Sequence, residues 1–411
     1  MINIAVLGYG TVGSGVVEVL DTNRECISQR VGEEIRVKYV LDLRDFPGDP
    51  VQNILVHNFE EIIRDEDVKI VVEVMGGIEP AYTFVKRSLL AGKSVATSNK
   101  ALVAKHGAEL LSIAKEKQIN FLFEASVGGG IPIIRPLNSS MTADEIEEIT
   151  GILNGTTNYM LTKMFYEGAG YEEVLRQAQE NGYAEKNPEA DVEGYDACRK
   201  IAILSSLISG HQVDFEDIYT EGITEITERD MEYAKQMQMT IKLLASSRRS
   251  GECLSAIVAP CLLENTHPLF GVNGVFNAIF VHGNVLGDAM FYGSGAGKLP
   301  TASAVVADVV EEAKNLNRNV MTMWKSDKLK LQDKGDTIRR FFVRITGNAE
   351  AMKTYIESIF GPVQIVMLPD VEEEFGFLTG RMTERAYEEC AAKFPNIIRM
   401  IRMQDQSGSK E

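Results

Sequence analysis

Five carboxylates stand close together in the segment NGYAEKNPEADVEGYDACRK, residues 181–200, which ends on two basic side chains. The acidic residues are Glu185, Glu189, Asp191, Glu193 and Asp196. Asp196 and Lys200 are spaced i, i+4, so they share one face of the helix that the following IAILSSLIS predicts. A carboxylate beside a lysine can orient the ammonium group that exchanges a proton with a reacting oxygen. An exposed pair of this spacing contributes only about 0.3–0.5 kcal/mol and would need no acidic segment before it.

That acidic segment is predicted to be an extended loop, because Pro188 disfavours a helical conformation in the residue before it. We expect Glu185 or Asp191 to bind a substrate ammonium group, with Lys200 near the reacting oxygen. The alternative is that Asp196 and Lys200 form an ordinary salt bridge.

A second polar segment, GILNGTTNYML, is typical of a strand, a short turn and the start of a helix. Thr156, Thr157 and Asn158 offer hydroxyl and amide groups at this helix N-terminus, where backbone N–H groups and the helix dipole favour an anion. N-capping alone would explain one of these residues. We expect the three together to form a cradle for a small carboxylate.

The first strand, INIAVL, runs into a glycine-rich turn and then into the helix SGVVEVLDTN. Gly8, Gly10 and Gly13 fit the pattern GxGxxG, with Thr11 and Val12 between the last two glycines. The first glycine permits a tight turn, the second admits a pyrophosphate, and the third lets helix and strand pack closely. The sequence therefore predicts a Rossmann-type domain that binds NAD or NADP, with a purely structural glycine turn as the alternative.

The second strand, IRVKYVL, ends at Asp42. A carboxylate at this place would accept hydrogen bonds from the adenosine ribose of NAD and repel the 2′-phosphate of NADP. Arg44 favours NADP instead, and Asp42 could equally be a residue that starts a loop. The sequence therefore leaves the cofactor preference open.

Two further strands, KIVVEV and SVATS, end in turns rich in glycine and polar residues. Ligands gather at the carboxyl ends of parallel strands, so both turns are expected to face the cofactor and the substrate. The residues concerned are Gly76, Gly77, Ser98, Asn99 and Lys100. Lys100 would be an ordinary solvated side chain in the alternative interpretation.

A fifth strand, INFLFEAS, leads to VGGGIPIIRP, which contains three successive glycines. Their backbone carbonyls could bind a cation, since hard ions take oxygen ligands. A flexible hinge between domains is the alternative. The five histidines have no metal-ligand spacing, so we expect no catalytic zinc.

The whole chain has 411 residues, of which 45% are hydrophobic and 25% charged, enough for two or three domains with packed cores. The formal net charge of −17 would repel a phosphate backbone, so we expect no nucleic-acid partner. Five scattered cysteines favour reduced thiols and a cytoplasmic location. Because there is no basic leader, cleavage site or long apolar run, we expect no membrane segment.

The combination of GYGTVGSGV, TSNK, EASVGGGIPIIRPL, GILNGTTNYML and AQENGYAEKNPEADVEGYDACRK resembles homoserine dehydrogenase, in the family's order over residues 1–320. The most specific part is the spacing Ala178-x3-Gly182-Tyr-Ala-x3-Pro188-x2-Asp191-Val-x-Gly194-x-Asp196-x3-Lys200. The resemblance implies an NAD(P)-dependent enzyme that interconverts L-aspartate 4-semialdehyde and L-homoserine in threonine, methionine and isoleucine biosynthesis.

The resemblance also implies roles for individual residues. Glu185 and Asp196 would hold homoserine, with Asp191 nearby, while Lys200 would handle its hydroxyl proton and Lys100 would be a second catalytic lysine. The further substrate contacts would be Thr156 and Tyr183, and the further cofactor contacts Gly182, Gly295 and Gly297. The backbone groups that match the family's sodium-binding loop are those of Glu124, Val127, Gly129 and Ile131.

We expect an α/β protein of three domains. Residues 1–133 would be the Rossmann domain, and residues 134–320 an α+β substrate and dimerisation domain whose last part returns to the nucleotide domain. A charged linker over residues 321–337 would lead to residues 338–411, whose βαββαβ order is typical of a small ACT domain.

The family often has an ACT domain for feedback by an end-product amino acid, and threonine would be the effector. Its usual acidic-x-Pro-Gly turn is replaced here by ITGNAEAM, so a structural or dimerising module is the alternative. We expect a homodimer or homotetramer, and we expect the chain without residues 338–411 to keep an active core.

Two rival functions remain open from the sequence. One is a Rossmann dehydrogenase that acts on another small amino acid, which substrate profiling would reveal. The other is a catalytically silent sensor of NAD and an amino acid. The presence of Lys100, Asp196 and Lys200 together argues against a silent sensor.

Overall fold

The computed structural model describes residues 1–321, 324–369 and 371–405. They form two compact units, each built from separate stretches of the chain. The first unit comprises residues 1–145, 202–215 and 291–329. The second comprises residues 146–201, residues 216–290 and the described residues from 330 onwards. The stretch 291–329 corresponds to the part of residues 134–320 that was expected to return to the nucleotide domain, whereas residues 202–215 were not expected in this unit.

The first unit is built on a six-stranded sheet in which all neighbouring strands are parallel. Its strands, in spatial order, are Leu55–Val56, Ile35–Leu41, Ile2–Leu7, Val68–Glu73, Ser94–Thr97 and Phe121–Leu122. In sequence numbering this order is 3-2-1-4-5-6, the arrangement of doubly wound dinucleotide-binding domains. The predicted Rossmann-type domain is therefore confirmed.

Helices cover this sheet, as the apolar composition of its strands requires. Ile4, Val6, Ile70 and Val72 are all fully buried, because a parallel sheet is enclosed on both faces. The helices of the first unit are Thr11–Thr22, Arg24–Val31, Phe59–Ile63, Ala81–Leu90, Lys100–Glu116 and Lys298–Lys314.

Gly15 explains how Lys298–Lys314 packs so closely on Thr11–Thr22. A Cβ atom at Gly15 would lie 2.9 Å from the carbonyl oxygen of Lys298 and 3.0 Å from the Cβ atom of Ala302. Only glycine leaves room for this helix in the nucleotide-binding unit.

The second unit contains a ten-stranded mixed sheet. Nine strands, in spatial order, are Gly287–Ser294, Phe276–Gly283, Ile146–Ile152, Met239–Ser250, Cys253–Glu264, Ile397–Met403, Phe341–Thr346, Glu374–Leu378 and Gln364–Val366. The tenth, Tyr219–Thr220, pairs with Cys253–Glu264. The helices that begin in this unit are Gly155–Glu167, Tyr171–Glu180, Glu189–Val192, Tyr195–Ser209, Glu228–Gln236, Ala349–Phe360 and Glu384–Ala391.

The predicted βαββαβ order after residue 338 is confirmed for the main elements, which we call the C-terminal module (residues 341–403). Its four main strands have the spatial order 4-1-3-2. Its last strand, Ile397–Met403, also pairs in parallel with Cys253–Glu264 through Cys261 and Arg402 and through Leu262 and Met403. The module therefore extends the sheet of the second unit and has no separate sheet of its own. Residue 370 and residues 406–411 of the predicted ACT range lie outside the described residues.

One partly buried and one buried ion pair join the C-terminal module to the rest of the second unit. Arg402 donates to Glu384 within the module and to Glu221 outside it, the latter at 2.6 Å. Arg344 donates to Asp230 at 2.6 Å, and both side chains are buried. Removing one partner of such a pair would leave an uncompensated charge in the interior.

The stretch predicted to be a charged linker, residues 321–337, is largely ordered. Trp324 is only 2% exposed, and its indole Nε1 donates to Gln212 Oε1 at 2.9 Å. Lys325–Lys328 then pairs in parallel with His211–Gln212. Three of the charges that suggested a solvated linker, Lys325, Asp327 and Lys328, lie on this exposed strand, whereas the tryptophan anchors the segment. Residues 322 and 323 lie outside the described residues.

Candidate active site

Lys200 and Asp196 lie one turn apart on the helix Tyr195–Ser209, as their spacing predicts. Lys200 Nζ donates to Asp196 Oδ2 at 2.8 Å and to the backbone oxygen of Leu153 at 2.7 Å. The residues are 8% and 5% exposed, so this is a buried pair and not an exposed salt bridge. In such surroundings electrostatic interactions are less screened than at a surface, and geometry decides how the ammonium group points.

Asn154 brings a second carboxylate to this pair. Its Nδ2 donates to Asp191 Oδ1 at 2.8 Å and to Asp196 Oδ2 at 3.0 Å. Sequence reasoning missed Asn154, although its position just before Gly155–Glu167 is that of a helix N-cap. The structure thus brings Asp191, Asp196 and Lys200 together.

Three further predicted substrate residues lie in the same unit. Thr156 Oγ1 donates to the backbone oxygen of Tyr183 at 2.6 Å, and the Tyr183 ring meets the Tyr159 ring edge-on at 5.0 Å. Tyr183 is 45% exposed, and Glu185 is exposed two residues further on. Tyr183 and Glu185 therefore present their side chains to solvent, whereas Thr156 is buried.

The expected three-residue cradle does not form, because two of its members are bonded inward. Thr157 Oγ1 lies 3.0 Å from Asn154 Oδ1. Asn158 Nδ2 donates to the carbonyls of Val272 and Phe276, and it is 1% exposed. Of the three predicted residues, only Thr156 remains a candidate.

The loop expected around Pro188 is also different in the structure. Pro188 is the N-cap of a short helix, Glu189–Val192, which includes Asp191. Proline is well tolerated at the start of a helix, where its missing N–H is not needed. The prediction of an extended loop was therefore wrong for residues 189–192. Pro188 disfavours a helical conformation only in the residue before it.

A lysine that sequence reasoning did not single out contacts the start of the helix Gly155–Glu167 through Asn158. Lys242 is 1% exposed, and its Nζ donates to Asn158 Oδ1, the carbonyl of Val272 and Asn273 Oδ1 at 3.1, 2.6 and 2.9 Å. Burial lowers the pKa of Lys242 to about 7. The three oxygen acceptors oppose this shift, because they match the three N–H groups of an ammonium ion.

The glycine-rich turn of the first unit fits a dinucleotide. Gly8 has a φ of +97°, and a Cβ atom at Gly13 would lie 2.0 Å from the Gly8 carbonyl oxygen. A Cβ atom at Gly10 would meet no other atom within 4 Å, so the space above this glycine is open. Thr11 and Val12 start the helix Thr11–Thr22, whose N-terminal N–H groups would face an anion bound at this place. The local geometry therefore fits a bound pyrophosphate.

Asp42 accepts four hydrogen bonds at the end of the second strand. The donors are the backbone N–H groups of Tyr9 and Arg44 and two guanidinium nitrogens of Arg44, at 2.8–3.0 Å. The Arg44 side chain and the Tyr9 N–H hold the pKa of Asp42 well below its usual range. The Asp42 side chain is 10% exposed and that of Arg44 62% exposed, so Arg44 is the more accessible of the two.

A cleft of about 530 Å³ runs from the glycine-rich turn past Asp42 and Arg44. His57, Gly76 and Phe84 also line it. Its walls therefore include four residues that were expected to face the cofactor, Gly8, Gly10, Asp42 and Gly76.

A buried carboxylate organises the carboxyl ends of two neighbouring strands. Glu73 accepts from Thr97 Oγ1 at 2.6 Å and from the Met75 backbone N–H at 2.8 Å, and it is fully buried. Burial raises the pKa of Glu73, and these hydrogen bonds oppose the shift. Asn99 Nδ2 donates to the Gly77 carbonyl at 2.6 Å. The structure thus links the two predicted turns, and sequence reasoning missed Glu73.

Lys100 is the first residue of the helix Lys100–Glu116 and is partly buried. Asn99 caps this helix, because its Oδ1 accepts from the Leu102 backbone N–H at 3.1 Å. Ser98 precedes this cap and lies at the same edge of the sheet. Lys100 and Ser98 belong to the first unit, whereas Gly182, in the turn after Tyr171–Glu180, belongs to the second.

The three successive glycines serve close packing in the first unit. A Cβ atom at Gly129, where φ is +60°, would lie 2.2 Å from the carbonyl oxygen of Gly295. Gly130 donates its N–H to Ser294. Gly297, with a φ of +123°, is the N-cap of the helix Lys298–Lys314. The sequence predicted a cation loop or a hinge at these glycines, and it did not predict this close packing.

Glu124 lies at the start of the expected cation loop. Both of its carboxylate oxygens are used, since they accept the backbone N–H groups of Ile133, Ile134 and Arg135 at 2.5–2.8 Å. These three bonds use most of the lone pairs of the carboxylate, which favours the backbone oxygen of Glu124 as a ligand atom. Val127 and Ile131 are buried in the same loop.

The described residues contain no group of three or more His, Cys, Asp or Glu side chains arranged to hold a metal ion. None of the helices in the described part of the chain has the length and apolar character needed to cross a membrane.

The sheet order and the open glycine-rich turn of the first unit are typical of an NAD(P)-binding domain, and the buried lysine–aspartate pair of the second unit suits the proton transfer of a dehydrogenase. Comparison with known proteins agrees. The family model of homoserine dehydrogenase matches residues 132–310, and that of the homoserine dehydrogenase NAD binding domain matches residues 8–124. This chain belongs to the homoserine dehydrogenase family, and it is an oxidoreductase that uses NAD or NADP.

Similar proteins come from several organisms. The chain is 43% identical to homoserine dehydrogenase of Bacillus subtilis over 323 residues, 78% of this chain and 74% of that protein. It is 41% identical to that of Helicobacter pylori over 346 residues, 84% and 81% of the two chains. The structure of a homoserine dehydrogenase from Thiobacillus denitrificans has a TM-score of 0.89 at 34% identity and covers 98% of both chains. A hyperthermophilic archaeal homoserine dehydrogenase in complex with NADPH has a TM-score of 0.66 at 29% identity, over 77% of this chain and 99% of that one.

Proposed function

We propose that this chain interconverts L-homoserine and L-aspartate 4-semialdehyde with NAD or NADP, in the biosynthesis of threonine, methionine and isoleucine. The observation that supports this most is the buried pair of Lys200 and Asp196, 2.8 Å apart, with Asn154 hydrogen-bonded to both Asp196 and Asp191. Family membership supports the choice of substrate. The side-chain cluster provides the proton chemistry that this substrate needs.

The bound cofactor supplies the hydride acceptor in homoserine oxidation and the hydride donor in the reverse direction. Lys200 moves the proton: its neutral amine accepts the hydroxyl proton in oxidation, and its ammonium group returns a proton to the aldehyde oxygen in reduction. Asp196 and the Leu153 carbonyl hold Nζ from two directions, so the remaining hydrogen-bonding position of the nitrogen is directed toward the substrate oxygen.

The carboxylates of the segment 181–200 are proposed to recognise the amino group of homoserine. Asp191 is half-buried beside Asp196, and Glu185 is exposed, so their oxygens can meet a substrate ammonium group. Thr156 and Tyr183 are proposed to contact the same substrate. The hydrogen bond from Thr156 Oγ1 to the backbone oxygen of Tyr183 keeps the segment after Gly182 against the helix Gly155–Glu167.

The cofactor is proposed to lie along the cleft of the first unit. Its pyrophosphate would meet the backbone of Gly8, Gly10, Thr11, Val12 and Gly13, and its adenosine ribose would meet Asp42. Ser98 and Lys100 would face its nicotinamide half, with Lys100 as a second catalytic lysine. The further contacts proposed are Gly182, Gly295 and Gly297.

A sodium ion is proposed at the loop of Glu124, Val127, Gly129 and Ile131, bound through backbone oxygens. The capped carboxylate of Glu124 supports this choice of ligand atom. The ion would stabilise the loop and take no part in the proton transfer.

We further propose that the enzyme is a cytoplasmic homodimer or homotetramer. Free cysteines, such as the buried Cys198 and Cys261, suit a reducing compartment. Threonine is proposed as an effector of the C-terminal module, with a purely structural module as the alternative. The strand pairing between Cys261 and Arg402 favours the structural alternative.

The proposal is tested by adding L-homoserine to the purified chain with NAD⁺ or NADP⁺ and recording nicotinamide absorbance. We expect homoserine-dependent reduction, and the reverse reaction with aspartate 4-semialdehyde. Serine, threonine and other small hydroxy amino acids are the controls. Faster turnover of one of these controls would refute homoserine as the substrate.

A further inference from the structure

The side chain of Asn154 connects two parts of the proposed site. Its Oδ1 accepts the backbone N–H of Thr157 at 2.9 Å, which caps the helix Gly155–Glu167. Its Nδ2 donates to Asp191 and Asp196. Asn154 is 6% exposed, so few water molecules compete with these bonds.

The Thr157 N–H decides which way the amide of Asn154 faces. An N–H group can only donate, so it requires the oxygen of the amide on its side. The two carboxylates can only accept when ionised, and they require the nitrogen on theirs. Both ends of the amide are therefore determined by the hydrogen-bond network, and a flipped amide would lose at least three bonds.

Asp196 Oδ2 is shared between two donors. Lys200 Nζ lies 2.8 Å from it and Asn154 Nδ2 lies 3.0 Å from it. The backbone oxygen of Leu153, the residue before Asn154, accepts the other bond from Lys200 at 2.7 Å. Leu153 and Asn154 thus hold both members of the ion pair, so a shift of this dipeptide would move the lysine and its carboxylate together.

We propose that Asn154 is a positioning residue for the proton transfer at Lys200. Its amide joins Asp191 to Asp196 and fixes the orientation of the Asp196 carboxylate that accepts from Lys200 Nζ. This inference rests on the proposed function, and it adds a residue to which no role in the reaction has been assigned.

Two substitutions separate helix capping from carboxylate bridging. Asn154→Ser keeps a good N-cap acceptor and removes the amide donors. Asn154→Asp also keeps the cap, but it places a third carboxylate beside Asp191 and Asp196. Asn348 is the matched control, because its Oδ1 caps the helix Ala349–Phe360 by accepting the Ala351 N–H at 3.1 Å. Asn348→Ser and Asn348→Asp change the same cap at a distant helix.

We expect all four variants to fold and to bind NAD(P) as the wild type does. For Asn154→Ser, kcat/KM for homoserine should fall by about 10²-fold, the loss expected when a reacting group is misplaced by about 1 Å. In both Asn154 variants the loss should fall on kcat more than on KM, because the misplaced groups act in the proton transfer. The loss should be larger for Asn154→Asp, whose carboxylate would lie beside Asp191 and Asp196, and the Asn348 variants should show no loss.

A wild-type kcat in Asn154→Ser would show that Asn154 is only a helix cap. If Asn154→Ser does not fold, the kcat of Asn154→Asp gives the answer alone, since aspartate preserves the cap. Absence of homoserine-dependent turnover in the wild type would refute the proposed function instead. In that case, calorimetric binding of homoserine to the wild type and to Asn154→Ser still tests the bridging: equal affinities would refute it, and weaker binding by the variant would support it.

Discussion

Arg402 and Glu384 form a two-bond ion pair inside the second unit, with Nε 3.0 Å from Oε2 and Nη2 2.6 Å from Oε1. Their side chains are 2% and 1% exposed. Arg402 belongs to Ile397–Met403, and this strand lies between Cys253–Glu264 and Phe341–Thr346. The pair is therefore part of the interior that the C-terminal module shares with the rest of the sheet.

This arrangement changes the expectation that the chain without residues 338–411 keeps an active core. A chain ending at residue 337 would lose the partners of Glu221 and Asp230 and expose the edge of Cys253–Glu264. Breaking a single buried pair costs about 3–5 kcal/mol, so we expect aggregation or loss of the cooperative unfolding transition. A chain ending at residue 405 is the control, because it keeps these contacts. An active, soluble chain ending at residue 337 would contradict the prediction.

Lys200→Met keeps the stem of the side chain and removes its ammonium group. We expect folding and NAD(P) binding to survive while turnover falls by about 10²–10⁴-fold, the usual contribution of a general acid or base. Asp196→Asn should lower kcat/KM more than it lowers stability, because it loosens both the lysine and the substrate. Steady-state kinetics and thermal unfolding measure the two effects.

Lys163→Met is the matched control for Lys200→Met. Lys163 forms an i, i+4 pair with Glu167 at 2.5 Å, but the two side chains are 30% and 51% exposed. This control should change neither turnover nor cofactor binding. If Lys200→Met keeps near-normal turnover and only lowers Tm, the pair with Asp196 is structural and Lys100 becomes the candidate proton donor.

Two glycines of the GxGxxG turn, Gly10 and Gly13, should behave differently when replaced by alanine. Gly13→Ala would place its Cβ atom 2.0 Å from the Gly8 carbonyl, so we expect a large fall in Tm. Gly10→Ala meets no protein atom within 4 Å, so the protein should fold normally. Gly10→Ala should nevertheless weaken NAD(P) binding, because its methyl group occupies the space proposed for the pyrophosphate. Unchanged affinity in Gly10→Ala, measured by fluorescence titration of NADH, would show that the cofactor passes elsewhere.

The preference between NADH and NADPH should depend on Asp42 and Arg44. We expect NADH to be used at least as well as NADPH, because the ionised Asp42 repels a 2′-phosphate. Asp42→Ala should shift the preference toward NADPH, since it removes that repulsion and releases the exposed Arg44 guanidinium. Kinetics with both cofactors measure the ratio. A strong preference for NADPH that Asp42→Ala leaves unchanged would reduce Asp42 to a turn residue and assign the selectivity to Arg44.

The buried Lys242 should make stability depend on pH. Burial lowers its pKa in the folded chain to about 7, whereas an ordinary lysine titrates at 10.5. Between these values the unfolded chain binds more protons, so the free energy of unfolding should rise with pH by up to about 1.4 kcal/mol per unit. The cost of burying the charge is fully present below the folded pKa.

Lys242→Met lacks this titration, so the stability of the wild type relative to the variant should increase between about pH 7 and pH 10. Denaturant unfolding of both proteins over this range measures the difference. A constant difference would mean that Asn158, Asn273 and the Val272 carbonyl keep Lys242 charged throughout.

Local sequence patterns predicted much of this structure. The GxGxxG turn between a strand and a helix involves only neighbouring residues, and so does the i, i+4 spacing of Asp196 and Lys200. The order of strands and helices in the C-terminal module also followed from local periodicity. These features depend on backbone geometry that a short segment determines by itself.

Contacts between distant residues were the ones that sequence reasoning missed. Asn154 meets Asp196 across 42 residues of chain, and Glu73 meets Thr97 across 24. Asn158 was predicted to face a ligand, but its side-chain amide is hydrogen-bonded in the interior to Lys242 and to the Val272 carbonyl. No local pattern reveals these partners, because each depends on how separate strands and helices pack.

The placement of Ile397–Met403 in the middle of the sheet has a consequence for synthesis on the ribosome. Until residue 403 has left the ribosome, Cys253–Glu264 and Phe341–Thr346 lack the strand that joins them, and both expose unpaired backbone groups. The first 145 residues, by contrast, already include every strand of the parallel sheet. During translation the parallel sheet of the first unit can therefore form early, whereas the sheet of the second unit must wait and remains a target for chaperones until the last strand arrives.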